Sequence, residues 1–311
     1  MTLTTQLCDP RAPISRFLDT HLSGEKMISA YEVATRHLPP TIKPTGDVRG
    51  YPWPILGTAV DTRLRMWFGE NDHPGTAQGV RILRLSQNFT HSLDAAEAGA
   101  HLLERMRHFA DRPYSLTEGE EDTAARYAIL AARYEAIYRS TDPTHGRRAM
   151  AHFTDRPPYT GPEHPLTILA REIHPAWVAD VRCQLDAAVK PLASMRANGV
   201  ICGPIFAGSP DVGHAEGDFI AAGMLIDCKS TINPRQRPHQ TRAWFRQLCA
   251  YLLLDYEDAY EITHVGVYLA RQATLLTWST RGFLNRMGAR MCLTDLRHNL
   301  KFTLSRKELA A

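Results

Sequence analysis

No apolar run in the 311-residue chain approaches the ~20 residues needed to cross a bilayer, so a membrane-spanning helix is excluded as an organising element. The opening MTLTTQLCDP lacks the basic segment and apolar stretch of a secretory leader, which makes a reducing cytoplasm the expected compartment. Six cysteines, at 8, 183, 202, 228, 249 and 292, are widely spaced and form no CxxC or mixed Cys/His ligand pattern. A disulfide scaffold and a zinc site are both unexpected. The chain also lacks internal repeats, low-complexity tracts and a strong charge of either sign. A net charge of +3, counting fourteen neutral histidines, permits a nucleic-acid partner without arguing for one.

What is present is the composition of a globular protein: 44% hydrophobic and 22% charged residues, enough for one large domain or two medium ones. Residues 1–50 read as an ordered N-terminal arm with short helices over 15–21 and 26–37. Residues 51–198 read as mainly helical, with helices over 54–68, 92–110 and 117–140, a long Pro/Gly/Thr/His-rich connection over 141–163, and a region from 165 to 198 broken near His174-Pro175. From 199 the pattern changes to strands over 200–206, 217–221 and 224–229, a helix over 238–255, strands over 263–270 and 274–279, and a helical tail around 284–291.

The stretch 208–230, GSPDVGHAEGDFIAAGMLIDCKS, carries the charges that need explaining. Its two short apolar strands flank Ala222-Gly223, a step suited to a tight hairpin turn. Alternation places Leu225, Asp227 and Lys229 on one face and Met224, Ile226 and Cys228 on the other. Pairing around the turn brings Asp218 towards Asp227 and Lys229, so two carboxylates and an ammonium converge. Hard divalent cations such as magnesium take one or two carboxylates together with waters and phosphate oxygens. A protonated lysine beside them can orient water or neutralise charge on a phosphate. The bland alternative is a surface ion pair worth ~0–1 kcal/mol. Downstream, Arg235, Arg237, Arg242 and Arg246 form a basic run that is either a solvated face or a nucleic-acid contact surface. On the next helix, Gln247 and Tyr251 share a face at i, i+4.

In this order, Asp218, Asp227-Cys228-Lys229 and the Gln247 to Tyr251 helix motif resemble the PD-(D/E)XK nuclease superfamily, most closely its RecB-like branch. Gly57 to Asp61 resembles the branch's N-terminal helix motif, with Asp where His or Glu is common. The interval from Asp61 to Asp218 is long for the family, and Glu172 and Asp180 are alternatives for that place. The resemblance implies an α/β fold with a restriction-endonuclease-like mixed sheet flanked by helices, a large N-terminal helical portion, and the nuclease core at 199–311. It implies Mg or Mn held by Asp61, Asp218, Asp227 and the Cys228 carbonyl, with Lys229 positioning the attacking water and Gln247 and Tyr251 contacting the site or the nucleic-acid backbone. The cysteine spacings offer no set for an iron-sulfur cluster, and none is expected. The expected activity is metal-dependent hydrolysis of nucleic-acid phosphodiesters, DNA more than RNA, with no membrane partner. A catalytically silent nucleic-acid-binding or regulatory module is the alternative, and a ligand sensor built on the helical half remains open.

Overall fold

The computed structural model describes residues 2–46, 49–86, 91–112, 116–140, 143–156, 159, 162–235 and 238–308. Among them the chain forms helices and a five-stranded mixed sheet, and it divides into two compact units, residues 42–189 and residues 1–41 with 190–311.

The first of these units is helical. It holds α4 (Trp53–Trp67), α5 (Pro74–Leu85), α6 (Ser92–Ala110), α7 (Glu118–Arg139), α8 (Pro143–Thr154), α9 (Pro165–Arg171) and most of α10 (Pro175–Asn198). At the start of α7, Thr117 and Glu120 form a reciprocal capping box, and three acids in its first turn complement the helix dipole. Helices α4, α5, α6, α8 and α9 all pack on α7. Its middle, Ala124 to Ala132, is accordingly buried throughout except at Arg126, which donates to the Ala170 and Ile173 carbonyls. Helix α5 approaches α7 so closely that a Cβ at Gly79 would lie 1.9 Å from the Tyr134 carbonyl oxygen, a contact only glycine permits. The expected connection over 141–163 contains α8. Its Gly146 is a poor local signal, and the helix is held by tertiary packing, with Phe153 stacked 4.2 Å from Tyr134.

The other unit carries the sheet. Helices α1 (Leu3–Cys8), α2 (Pro13–His21) and α3 (Glu25–Ala34) belong to it. The arm expected over 1–50 is therefore replaced by a segment that supplies Ile14, Phe17, Leu18, Met27 and Tyr31 to the core around the sheet. The strands are β1 (Ile201–Cys202), β2 (Phe219–Ala221), β3 (Met224–Lys229), β4 (His264–Leu269) and β5 (Thr274–Ser279), hydrogen-bonded in that order. β1, β2 and β3 are antiparallel, β3 and β4 parallel, β4 and β5 antiparallel. Helix α11 (Pro238–Leu254) makes the crossover that a parallel pair requires. β1 is shorter than the expected 200–206, because Gly203 sits at φ +61° and Pro204 has no N–H to donate; backbone bonds from Gly203 to Asp218 and from Gly217 to Pro204 and a bridge from Ile205 to Glu216 continue the pairing. The tail forms α12 (Thr280–Met287), closed by Gly288 at φ +93°, and α13 (Leu293–Glu308).

Helix α11 buries Trp244, Phe245, Leu248, Leu252 and Leu253, spaced three and four apart. They join Ile220, Leu225, Val265, Val267 and Leu269 in one apolar cluster. Tyr31 packs edge-on to Phe245 at 5.6 Å, which links α3 to the same core. Arg297 of α13, itself buried, anchors the end of α11 by donating to the Leu252 carbonyl at 3.1 Å and to Asp255 at 3.1 Å.

The turn between β2 and β3 sets the geometry of everything beyond it. Ala221 pairs with Met224, so the loop is Ala222-Gly223 alone, and both residues have positive φ, +49° and +70°. This is the pattern of a two-residue turn matched to strand twist. Alanine is strained there by roughly 1–2 kcal/mol. Ala222→Asn is expected to raise stability by about 0.5–1 kcal/mol, and Gly223→Val to lower it by about 1–2 kcal/mol, both read from urea unfolding midpoints. An Asn variant no more stable than the native protein would contradict the strained turn.

Candidate active site at the β2–β3 hairpin

Register and alternation decide which side chains meet. Ile220 faces Leu225 across the hairpin, which places Asp218 opposite Asp227 one pleat further along. In the parallel direction Leu225, Asp227 and Lys229 stand beside Val265, Val267 and Leu269. Asp227 and Lys229 thus lie on the face that α11 covers, at the C-terminal end of β3.

The site is tightly bonded. Asp218 Oδ2 accepts a 2.7 Å hydrogen bond from the backbone N–H of Cys228. The Lys229 ammonium donates to Asp227 Oδ1 at 2.7 Å and stands 2.7 Å from Oδ2 as an ion pair. Asp227 is 1% exposed, and its Oδ2 is sealed from solvent without a directed hydrogen bond. The Lys229 side chain keeps 19% of its surface, so of the pair it is the lysine that reaches solvent. The Cys228 side chain projects to the opposite face, where Cys228 pairs with Tyr268.

Burial is the largest influence on Asp227 and raises its carboxyl from 3.8 to about 7; the Lys229 charge pulls against this and the Asp218 charge adds to it. Burial alone would lower Lys229, but the neighbouring charges of Asp227 and Asp218 outweigh it and hold the ammonium above its ordinary range. At neutral pH the cluster is therefore an ammonium beside two carboxyls, one of which readily exchanges its proton.

On α11, Gln247 Nε2 donates to the Tyr251 hydroxyl at 2.8 Å, and the Tyr251 ring stacks on Phe206 at 5.5 Å. The expected basic surface divides. Arg235 and Arg242 are exposed, and Arg237 lies outside the described residues. Arg246 is not a solvated cation: it pairs with Asp19 and donates to Ser15 Oγ at 2.9 Å, both on α2. Its sequence neighbours gave no sign of this, because the partner is more than two hundred residues away.

Asp61, expected as a fourth metal ligand, belongs to the helical unit, where it accepts a 2.9 Å bond from Arg65 one turn along α4. The alternatives in that unit are also engaged, Glu172 by Arg156 and Asp180 by Gln184. Among the described residues no three His, Cys, Asp or Glu side chains gather so as to hold a metal ion. The donor set at the hairpin is two hard carboxylates, one with an undirected buried oxygen, which meets the modest protein requirement of a magnesium-type ion. Sequence reasoning passed over Gln272. Read as part of a plain connector, it is 1% exposed in the turn after β4, where Nε2 donates to Thr41 Oγ1 at 3.0 Å and to the Thr231 carbonyl at 3.1 Å. A Gln between two apolar strands was the available signal.

Comparison of the chain with protein-family models, with curated proteins and with solved structures finds no match.

The raised Asp227 carboxyl has a definite sign. Between pH about 4 and about 7 the folded protein holds a proton that the unfolded chain has released, so folded stability contributed by this group falls as pH rises, by up to ~1.4 kcal/mol per unit, and stays low above pH 7. Lys229, shifted upward, contributes a change only in the alkaline range. Asp227→Asn is therefore expected to gain stability relative to the native protein as pH rises from 4.5 to 7.5 in chelator, measured by urea unfolding. A difference that stays flat across that window would remove the buried, proton-holding carboxyl.

Proposed function

We propose that the protein is a metal-dependent nuclease with a restriction-endonuclease-like core, hydrolysing phosphodiester bonds of DNA in preference to RNA. The observation that carries this is the convergence of Asp218, Asp227 and Lys229 at the end of β3, on the face covered by the crossover helix that bears Gln247 and Tyr251. The element order, an antiparallel β1-β2-β3 meander, a helix and a parallel β4, supports the same reading.

Asp218, Asp227 and the Cys228 carbonyl are the groups that would hold Mg or Mn. Such an ion, when bound, lowers the pKa of a water ligand and polarises a phosphoryl oxygen. The rest follows from the chain's own groups. Fully ionised, the two carboxylates and the ammonium carry one net negative charge, which disfavours a bare phosphate and favours a divalent cation. Asp227 gives up its proton to become a ligand, so cation binding is weakened by acid. Lys229 stays an ammonium, held so by the two acids, and therefore donates hydrogen bonds and does not abstract a proton. Its remaining N–H donors are of the kind that bind a non-bridging phosphate oxygen or orient the attacking water. Gln247 and Tyr251, bonded to one another, add polar groups on the covering helix.

One observation favours a second reading. Asp227 is already closed by Lys229 and no third ligand side chain joins it among the described residues, as in a nuclease-fold module that binds nucleic acid without cutting it.

With Mg or Mn, the native protein is expected to cleave DNA, and Asp227→Ala and Lys229→Ala each to lower the rate by about 100-fold or more, with circular dichroism unchanged. Cleavage that survives in both variants would sink the site. Nucleic-acid binding without cleavage by the native protein would select the silent module.

A further inference from the structure

The chain leaves Lys229 into a loop that the N-terminal segment grips at two points. Gln272 Nε2 bonds both Thr41 Oγ1 and the Thr231 carbonyl, and the Tyr31 hydroxyl donates to the Pro234 carbonyl at 3.2 Å. Between residues 35–41 and 232–235 lies a cleft of about 310 Å³. Arg36 lines it from the N-terminal side and Arg235 from the loop, with Thr41 and Asn233 as further polar groups. Among the described residues no Asp or Glu lines it and neither arginine, both exposed, has an ion-pair partner. The cleft is also close to the candidate site. Ile232 of its lining is three residues past Lys229, so their Cα atoms are at most ~11 Å apart.

Two guanidiniums lining one cleft, with no compensating acid among the described residues, attract a polyanion, and the nearby carboxylates and ammonium are of the kind that act on phosphodiesters. We propose that this cleft holds the sugar-phosphate backbone of the nucleic acid presented to Asp218, Asp227 and Lys229. Arg36 and Arg235 are its phosphate contacts, and the N-terminal segment is part of the substrate-binding surface. Gln272 and Tyr31 fix the cleft by tying its two walls together. The choice of ligand rests on the phosphodiester reading of the adjoining site.

Two readouts separate the cleft from the chemistry. Binding of a labelled DNA oligonucleotide in chelator is followed by anisotropy across a salt series. Hydrolysis of bis(p-nitrophenyl) phosphate with Mn, a diester too small to span the cleft, reports on Asp218, Asp227 and Lys229 alone. Arg36→Glu and Arg235→Glu are each expected to weaken oligonucleotide binding about fivefold or more at low salt. Each should reduce the slope of log affinity against log salt by about 1, with small-diester hydrolysis unchanged. Native binding and an unchanged slope in the double variant would overturn the cleft, even where the small diester is turned over. So would failure of the native protein to bind the oligonucleotide. Loss of binding in the variants, with no diester hydrolysed by the native protein, would keep the cleft and remove the cleavage reading. Where charge reversal also lowers small-diester turnover, Arg36→Gln and Arg235→Gln replace it, and undiminished oligonucleotide binding there overturns the proposal.

Discussion

The register of the β2–β3 hairpin is the constraint on which the candidate site depends. Because side chains alternate with period two, a slip of one residue would send Asp227 and Lys229 to the opposite face and replace them with Ile226 and Cys228. Two features prevent the slip. The loop is held to two residues by the positive φ angles of Ala222 and Gly223, and Ile220 and Leu225 are locked into the cluster beneath α11. The same apolar face that stabilises the hairpin carries the charged pair at its far end.

That placement costs stability. A buried ion pair commonly contributes less than a well-packed apolar pair of similar size, because desolvation offsets the attraction. Asp227 adds a second cost, since its nearest charged neighbours include Asp218 as well as Lys229. An apolar residue at 227 would extend the run of Leu225, Val265 and Val267 without either penalty. The cluster is therefore a cost to the fold, of the kind that the proposed metal ligation would offset. The buried Arg297–Asp255 pair is different in kind: Arg297 also donates to the Leu252 carbonyl and to Asp258, so each of its three nitrogens is bonded within the protein.

Much of this was legible in the sequence because the signals were local. α6 runs over Ser92–Ala110 and β5 over Thr274–Ser279 as expected, and the break at His174-Pro175 separates α9 from α10. The hairpin turn was readable from a single dipeptide, and Thr117 with Glu120 announced the start of α7. What was not legible depends on partners distant in sequence. α5 begins at Pro74-Gly75 and contains Gly79, weak helix signals in a stretch to which the sequence pattern assigns no element and that α7 holds in place. Arg246 looks like one more solvated cation until α2 supplies Asp19. Asp61 fits a helix motif, yet one turn away Arg65 takes its carboxylate.

The N-terminal segment shows why such partners matter for the site. Residues 1–41 bury their apolar faces on the same core as α11, so they are held by hydrophobic contact that no local pattern identifies as belonging to residues two hundred positions away. Once they are docked, their last turn and exit stand against the loop leaving Lys229. The buried Gln272 then bonds both pieces, and a single carboxamide links the exit of the segment to the strand end that carries the lysine. The geometry around Lys229 is thus closed by a part of the chain made early and completed by one made late. A site of this construction is assembled only when the whole unit folds, which ties the placement of its charges to global stability and not to the hairpin alone.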